Sequence, residues 1–342
     1  KISFTGDYDF SYNSLRITHY EFHSVKILVT GAAGFIGFHL SKSLLDDGFE
    51  VLGIDNINDY YDPNLKYARL EQLKPYKNFT FEKIDIADRE SLTKAFTDFK
   101  PNKVVNLAAQ AGVRYSLENP YAYMDSNLVG FLNIIELCRN NNVESFIYAS
   151  SSSVYGGNKN FPSSVDDSVG KPLALYGATK RANELIAYSY SHLYGLHTTG
   201  LRYFTVYGPW GRPDMAIFIF TRKILAGKPI PVFNNGNMKR DFTYIDDIIS
   251  GTRSAIEKNY ACEIFNLGNH RSEQLMELIA LIEKRLGKKA IINFQPLQPG
   301  DVTESFADIQ HSVDKLGFKP KITINEGIQI LIKWYKEYYV KQ

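Results

Sequence analysis

From Lys26 onward, short apolar runs alternate with longer stretches of helical period. Residues 26–30, 50–54, 79–84, 103–107 and 144–149 read as strands. Between them, residues 35–47, 89–99 and about 121–139 place apolar side chains three and four apart and are predicted as helices. A long helix over 176–194 stops at Gly195 and leads into a strand at 197–203. Strands joined through helices of this length pair in parallel by right-handed crossovers. The pattern therefore predicts an α/β protein built on a doubly wound parallel sheet. After Tyr203 the regularity fails. Pro209, Pro213, Pro229, Pro231, Pro296, Pro299 and Gly300 break the chain into loops, short strands and a few helices. We expect residues 26–204 to form the main domain. Residues 205–342 should form a smaller mixed α/β lobe, with one or two segments returning to the sheet.

Composition narrows the classes. The 342 residues are 44% hydrophobic and 22% charged, ordinary for a globular chain with a sizeable core. A net charge of +2 and the lack of a basic arm argue against a nucleic-acid partner. No stretch reaches the roughly 18 apolar residues that span a bilayer, and no membrane association is expected. Residues 1–25 mix aromatics with Asp7, Asp9, Arg16 and Glu21, lack the apolar core of a signal peptide, and read as a peripheral extension. Cys138 and Cys262 are expected to be unpaired, buried thiols, which fits a cytoplasmic protein. The seven histidines show no metal-ligand spacing.

Candidate chemistry falls where strands end. Gly31-Ala32-Ala33-Gly34-Phe35-Ile36-Gly37 follows a strand and opens a helix. Glycines there allow a tight turn and close backbone approach, and a helix N-terminus offers amides to a pyrophosphate. Asp55 ends the second strand near the roughly 20-residue offset at which an acid meets ribose hydroxyls. A carboxylate repels a 2′-phosphate, and Ala32, Ala33 and Asn56 supply no arginine to hold one, so NAD is favoured over NADP. Asp85 can accept from an adenine amine or cap the helix that follows. Leu107-Ala108-Ala109-Gln110 allows backbone to lie against a flat ring, or simply packs tightly. Ser151 stands in a serine run after the fifth strand, where a hydroxyl can share a proton with a substrate oxygen. Tyr176 and Lys180 lie four apart on one helix face. A fixed cation favours phenolate over phenol, which makes Tyr176 a plausible base.

Together these residues resemble the extended short-chain dehydrogenase/reductases that act on nucleotide sugars. The similarity runs from about Lys26 to the end. Gly112-Val113-Arg114-Tyr115-Ser116, the stretch from Tyr203 to Met215 with Trp210-Gly211-Arg212-Pro213-Asp214-Met215 at its end, and Lys239-Arg240-Asp241-Phe242-Thr243-Tyr244 resemble the UDP-glucuronate 4-epimerases. The resemblance implies a Rossmann-type fold, tightly bound NAD regenerated each turnover, a UDP-sugar substrate, a homodimer, and a place in polysaccharide biosynthesis. It implies a cofactor site that adds Ile86, Asn127 and Tyr203 to the glycine turn, Asp55, Asn56, Asp85, Leu107–Gln110, Tyr176 and Lys180. Tyr176 would take the proton of the sugar 4-hydroxyl, Ser151 would hydrogen-bond the same oxygen, and Lys180 would hold the nicotinamide ribose. Ser152 and Val232 are expected at the sugar nucleotide, Arg240 at the phosphates and Asp301 near the uridine ribose. The 4-keto uronate is a β-keto acid that loses carbon dioxide when its carboxylate bond stands perpendicular to the carbonyl. We expect Arg212, through a bidentate fork, and Thr205 to hold that carboxylate out of alignment. Arg212 contacting the diphosphate is the competing reading, and Arg114 is a second anion contact. Dehydratases need an Asp-Glu pair, and decarboxylases usually a Glu, where Ser152 and Ser153 stand. A UDP-galactose 4-epimerase, which typically has Asn in place of Thr205, an N-acetylhexosamine or N-acetylated uronate epimerase, and a non-catalytic NAD-binding protein are the remaining alternatives.

Overall fold

A computed structural model describes residues 25–340; the expectation for residues 1–25 lies, but for Val25, outside the described residues. Seven strands form one sheet: β1 (Lys26–Thr30), β2 (Glu50–Asp55), β3 (Phe79–Lys83), β4 (Lys103–Asn106), β5 (Ser145–Ser151), β6 (Thr198–Tyr203) and a returning strand at Cys262–Leu267. Their order is Cys262–Leu267, β6, β5, β4, β1, β2, β3, and every pairing is parallel. Alternation decides the two faces. Ile27, Val29, Val51, Val105, Ile147 and Leu201 pack into one apolar cluster, while Leu28, Leu52, Val104 and Phe146 pack into the other. Each such side chain contributes about 1.5–3 kcal/mol on leaving water, and the parallel sheet, covered on both faces, separates the two apolar clusters.

Local chemistry sets the helix ends. Asp88 caps Arg89–Phe99 by accepting from the amides of Glu90 and Ser91. Gly195 closes Leu175–Tyr194 in the left-handed conformation. The continuous helix expected over about 121–139 is instead broken into Pro120–Met124, a π-turn at Asp125–Val129 and Gly130–Asn140. Its π-turn brings Asn127 inward. The helix Pro63–Leu73 went unread in the sequence. Cys138 is buried as expected, but Cys262 is exposed, because it opens the strand at the sheet's edge; both are free thiols. The lobe after Tyr203 is a set of short strands and helices. Phe242–Tyr244 pairs with Thr205–Tyr207, and Ile292–Gln295 with Ile230–Phe233.

Candidate active site

The carboxyl ends of the strands and the facing lobe enclose one cleft of about 730 Å3. At its nucleotide end, Gly31 has φ +70°, and its turn closes with Gly34 N donating to Gly31 O at 2.9 Å. A Cβ on Gly37 would stand 2.1 Å from Gly31 O, and one on Gly31 2.9 Å from Ala108 N. No side chain caps the helix Phe35–Asp46, so its first amides face the cleft, a cradle that fits a pyrophosphate. The glycine turn packs on Leu107 and Ala108, which also line the cleft with Ala109 and Gln110.

Asp55 accepts from Ile57 N at 2.8 Å and faces the Lys66 ammonium at 3.7 Å. Lys66 is nearly buried, donates to Asn58 Oδ1 at 2.9 Å, and has its pKa lowered by burial. Asn56 donates to Asp85 Oδ2 at 2.9 Å. The capping alternative for Asp85 falls, because Asp88 holds that role; Asp85 closes a turn through Ala87 N and lines the cleft with Ile86.

Tyr176, in the first turn of its helix, lines the cleft with Ser151 at the end of β5. Burial raises the phenol pKa, while the nearby Ser151 hydroxyl and the Arg212 charge pull it down. Lys180 donates to Ala149 O at 2.8 Å, and burial lowers its pKa to about 8. In this structure the charge that bears on the Tyr176 phenol is that of Arg212. The Lys180 ammonium, one turn further along the same helix, spends one of its three donors on that strand carbonyl.

Arg212 Nε and Nη2 engage Asp214 at 3.0 and 2.5 Å, and Nη2 also donates to Ala111 O at 3.2 Å. Both N–H bonds of Nη2 are thereby used. A free bidentate fork, as read from the sequence, is not present; Nη1 is the nitrogen that neither group holds. Tyr60 donates to Asp214 Oδ2 at 3.0 Å, and burial plus the Asp214 charge push its pKa up to about 12. Thr205, Tyr203, Ser152 and Ser151 line the cleft nearby, with Tyr203 hydrogen-bonded to Thr252 at 3.0 Å.

At the far end Arg114 pairs with Asp301 at 3.3 Å and lies 4.5 Å over the Phe233 ring. Arg240 lines the same end, donating to Val302 O and Lys239 O, close enough to feel the Asp301 and Arg114 charges. Two expected contacts are not in the cleft. Val232 is fully buried, and alternation along its strand turns Pro231 and Phe233 to the cavity instead. Asn127 is buried behind the wall, where it accepts from Gln110 N at 2.8 Å and donates to Gln110 O at 3.0 Å and to Thr179. It positions a lining segment. Lys66, Tyr60 and Asp214 were missed as site residues. For Lys66 the signal was its place beside Leu65 and Leu70, on the stripe that faces the core. Among the described residues, no cluster of His, Cys, Asp and Glu could hold a metal ion, and no helix is long and apolar enough to cross a membrane.

Residues 27–268 match the family model described as NAD dependent epimerase/dehydratase family. The chain belongs to that family. Protein CapI of Staphylococcus aureus is 50% identical over 335 residues, covering 93% of this chain and all of that one. The UDP-glucuronate 4-epimerase of Thermodesulfobacterium geofontis is 46% identical over 311 residues, covering 91% of this chain and 96% of its own. The UDP-glucuronic acid 4-epimerase of Bacillus cereus, solved with UDP-glucuronic acid and NAD, superposes with a TM-score of 0.88 at 36% identity. That match covers 92% of this chain and all of the other.

Proposed function

We propose that this family member inverts C4 of a UDP-uronic acid, interconverting UDP-glucuronate and UDP-galacturonate with a retained NAD. One observation carries the uronate reading: Arg212 and Thr205 line the same cleft as Tyr176 and Ser151, with the Arg212 charge bearing on the phenol. An anion-binding group thus sits beside the base, as a sugar whose C6 carboxylate neighbours the reacting carbon requires. The glycine cradle, Asp55 and Asn56 would hold the dinucleotide, which accepts and returns the C4 hydride when bound. Tyr176 takes the 4-hydroxyl proton as phenolate and returns it to the inverted oxygen. Ser151 hydrogen-bonds the same oxygen and keeps it in line. Asp214 fixes the plane of Arg212, leaving Nη1, with the Thr205 hydroxyl, to meet the carboxylate. Arg240 and Arg114 supply positive charge for the diphosphate, with Asp301 near the ribose.

The same reading assigns a cytoplasmic homodimer, supported by two free thiols and by an apolar surface. Tyr121, Met124, Val129 and Leu132 are exposed next to Leu185, Tyr188 and Leu193 on the adjoining helix.

The test is incubation of the purified protein with UDP-glucuronate and no added cofactor, followed by product separation and mass analysis. A mixture of the two uronates without a five-carbon product is expected. A five-carbon sugar would turn the assignment to decarboxylation, and turnover of UDP-glucose alone would turn it to a neutral-sugar epimerase.

A further inference from the structure

Arg69, on the helix Pro63–Leu73, is fully buried, and no carboxylate pairs with it among the described residues. A buried cation is costly unless its donors are satisfied. Here the acceptors are neutral and widely separated in sequence. Nη1 donates to Ala33 O at 2.8 Å and to the Tyr61 hydroxyl at 2.7 Å. Nε and Nη2 donate to Trp210 O at 3.1 and 2.6 Å, and Nη2 also reaches Gly211 O at 3.4 Å. One guanidinium thus ties the glycine-rich turn to the two peptides immediately before Arg212.

The loop it holds would not adopt this path unaided. Trp210 has φ +60°, a conformation that costs a bulky residue about 1–2 kcal/mol. Its ring is packed against Phe38, Trp334 and Tyr338. His39, one turn into the helix after the glycine motif, contacts Pro209 O through Nε2 at 3.0 Å. Burial lowers its pKa to about 4, so the ring is neutral near pH 7 and can donate that hydrogen bond.

We infer that Arg69 is a positioning residue for Arg212, setting the distance between the carboxylate-reading loop and the cofactor turn. The inference rests on the uronate reading above. In a 4-keto uronate, the C5–C6 bond breaks when its electron pair aligns with the C4 carbonyl. Carbon dioxide leaves, and the resulting enolate takes a proton at C5. A small displacement of Arg212 therefore changes which product forms, not only how fast.

The experiment compares wild type, Arg69→Lys, Arg212→Lys and the double variant on UDP-glucuronate, reading the ratio of five-carbon to six-carbon products and the bound NAD. Lysine keeps the buried charge but cannot span three carbonyls. We expect Arg69→Lys to raise the five-carbon share about tenfold with NAD retained, and the double variant to match Arg212→Lys alone. A fall in turnover with an unchanged ratio, or multiplying effects in the double variant, would overturn the inference while leaving the epimerase reading intact. Wild type inactive on UDP-glucuronate would overturn both. Should the lysine variant not fold, His39→Gln reads the same ratio: a rise supports the anchor, and no change overturns it.

Discussion

The glycine turn and the loop carrying Arg212 face each other across one cleft, yet different forces hold them. The shape of the turn is set by backbone: Gly34 N bonds to Gly31 O, and Gly37 leaves no room for a Cβ, while the one side chain tied to it, Arg69, meets a carbonyl already in place. Its shape is local, so it reads directly from seven consecutive residues. The loop is held by side chains brought from far along the chain. Arg69, His39 and Tyr60 reach it from 141, 170 and 154 residues away. A backbone-held site is indifferent to pH and intolerant of added atoms. A side-chain-held site tolerates small volume changes but depends on charge and protonation.

The most damaging way to break the turn is Gly37→Ala, whose methyl would meet Gly31 O at 2.1 Å. Purified variant should carry no NAD by absorbance and show no turnover, while UDP still binds the far end by calorimetry. Tyr176→Phe leaves both anchors intact and removes only the base. The rate constant should fall by about 10²–10⁴, with bound NAD unchanged. Acid then separates the two regions. The His39 pKa is lowered from 6.5 to about 4, so the unfolded chain takes up the proton first. Stability conferred by the neutral ring is present above pH 6.5 and is lost as pH falls toward 4, by roughly 3 kcal/mol. Denaturant midpoints of wild type across that window should drop more than those of His39→Gln. Arg212→Gln sharpens the comparison at the base itself. The cation favours phenolate, so its loss raises the Tyr176 pKa, and the rising limb of rate against pH should move up by about one unit. Breaking the surface pair Lys94–Asp98, at 3.2 Å and exposed on both sides, should change stability by less than about 0.5 kcal/mol.

The contrast also explains what was legible. The strands β1 to β6 and the helix carrying Tyr176 and Lys180 follow from apolar period, and Gly31, Gly34, Gly37, Ser151 and Tyr176 from local motif. The helix Pro63–Leu73 was hidden because it turns Lys66 and Arg69 inward, so two charged residues interrupt the leucines of its buried face. Arg212 was placed near the sugar, but its engagement by Asp214 depends on rotamers that spacing does not encode. Val232 was assigned to the cleft, and strand alternation, visible only once its edge is known, put Phe233 there instead.

The most direct test of the account uses UDP-glucuronate carrying deuterium at C4, turned over by the purified protein in ordinary water without added NAD. We expect UDP-galacturonate with the deuterium still on C4, because the hydride stays within the closed site while only the hydroxyl proton passes through Tyr176. Product with hydrogen at C4 would contradict it, since that carbon would then have exchanged with solvent by a route Tyr176 and a retained cofactor do not supply.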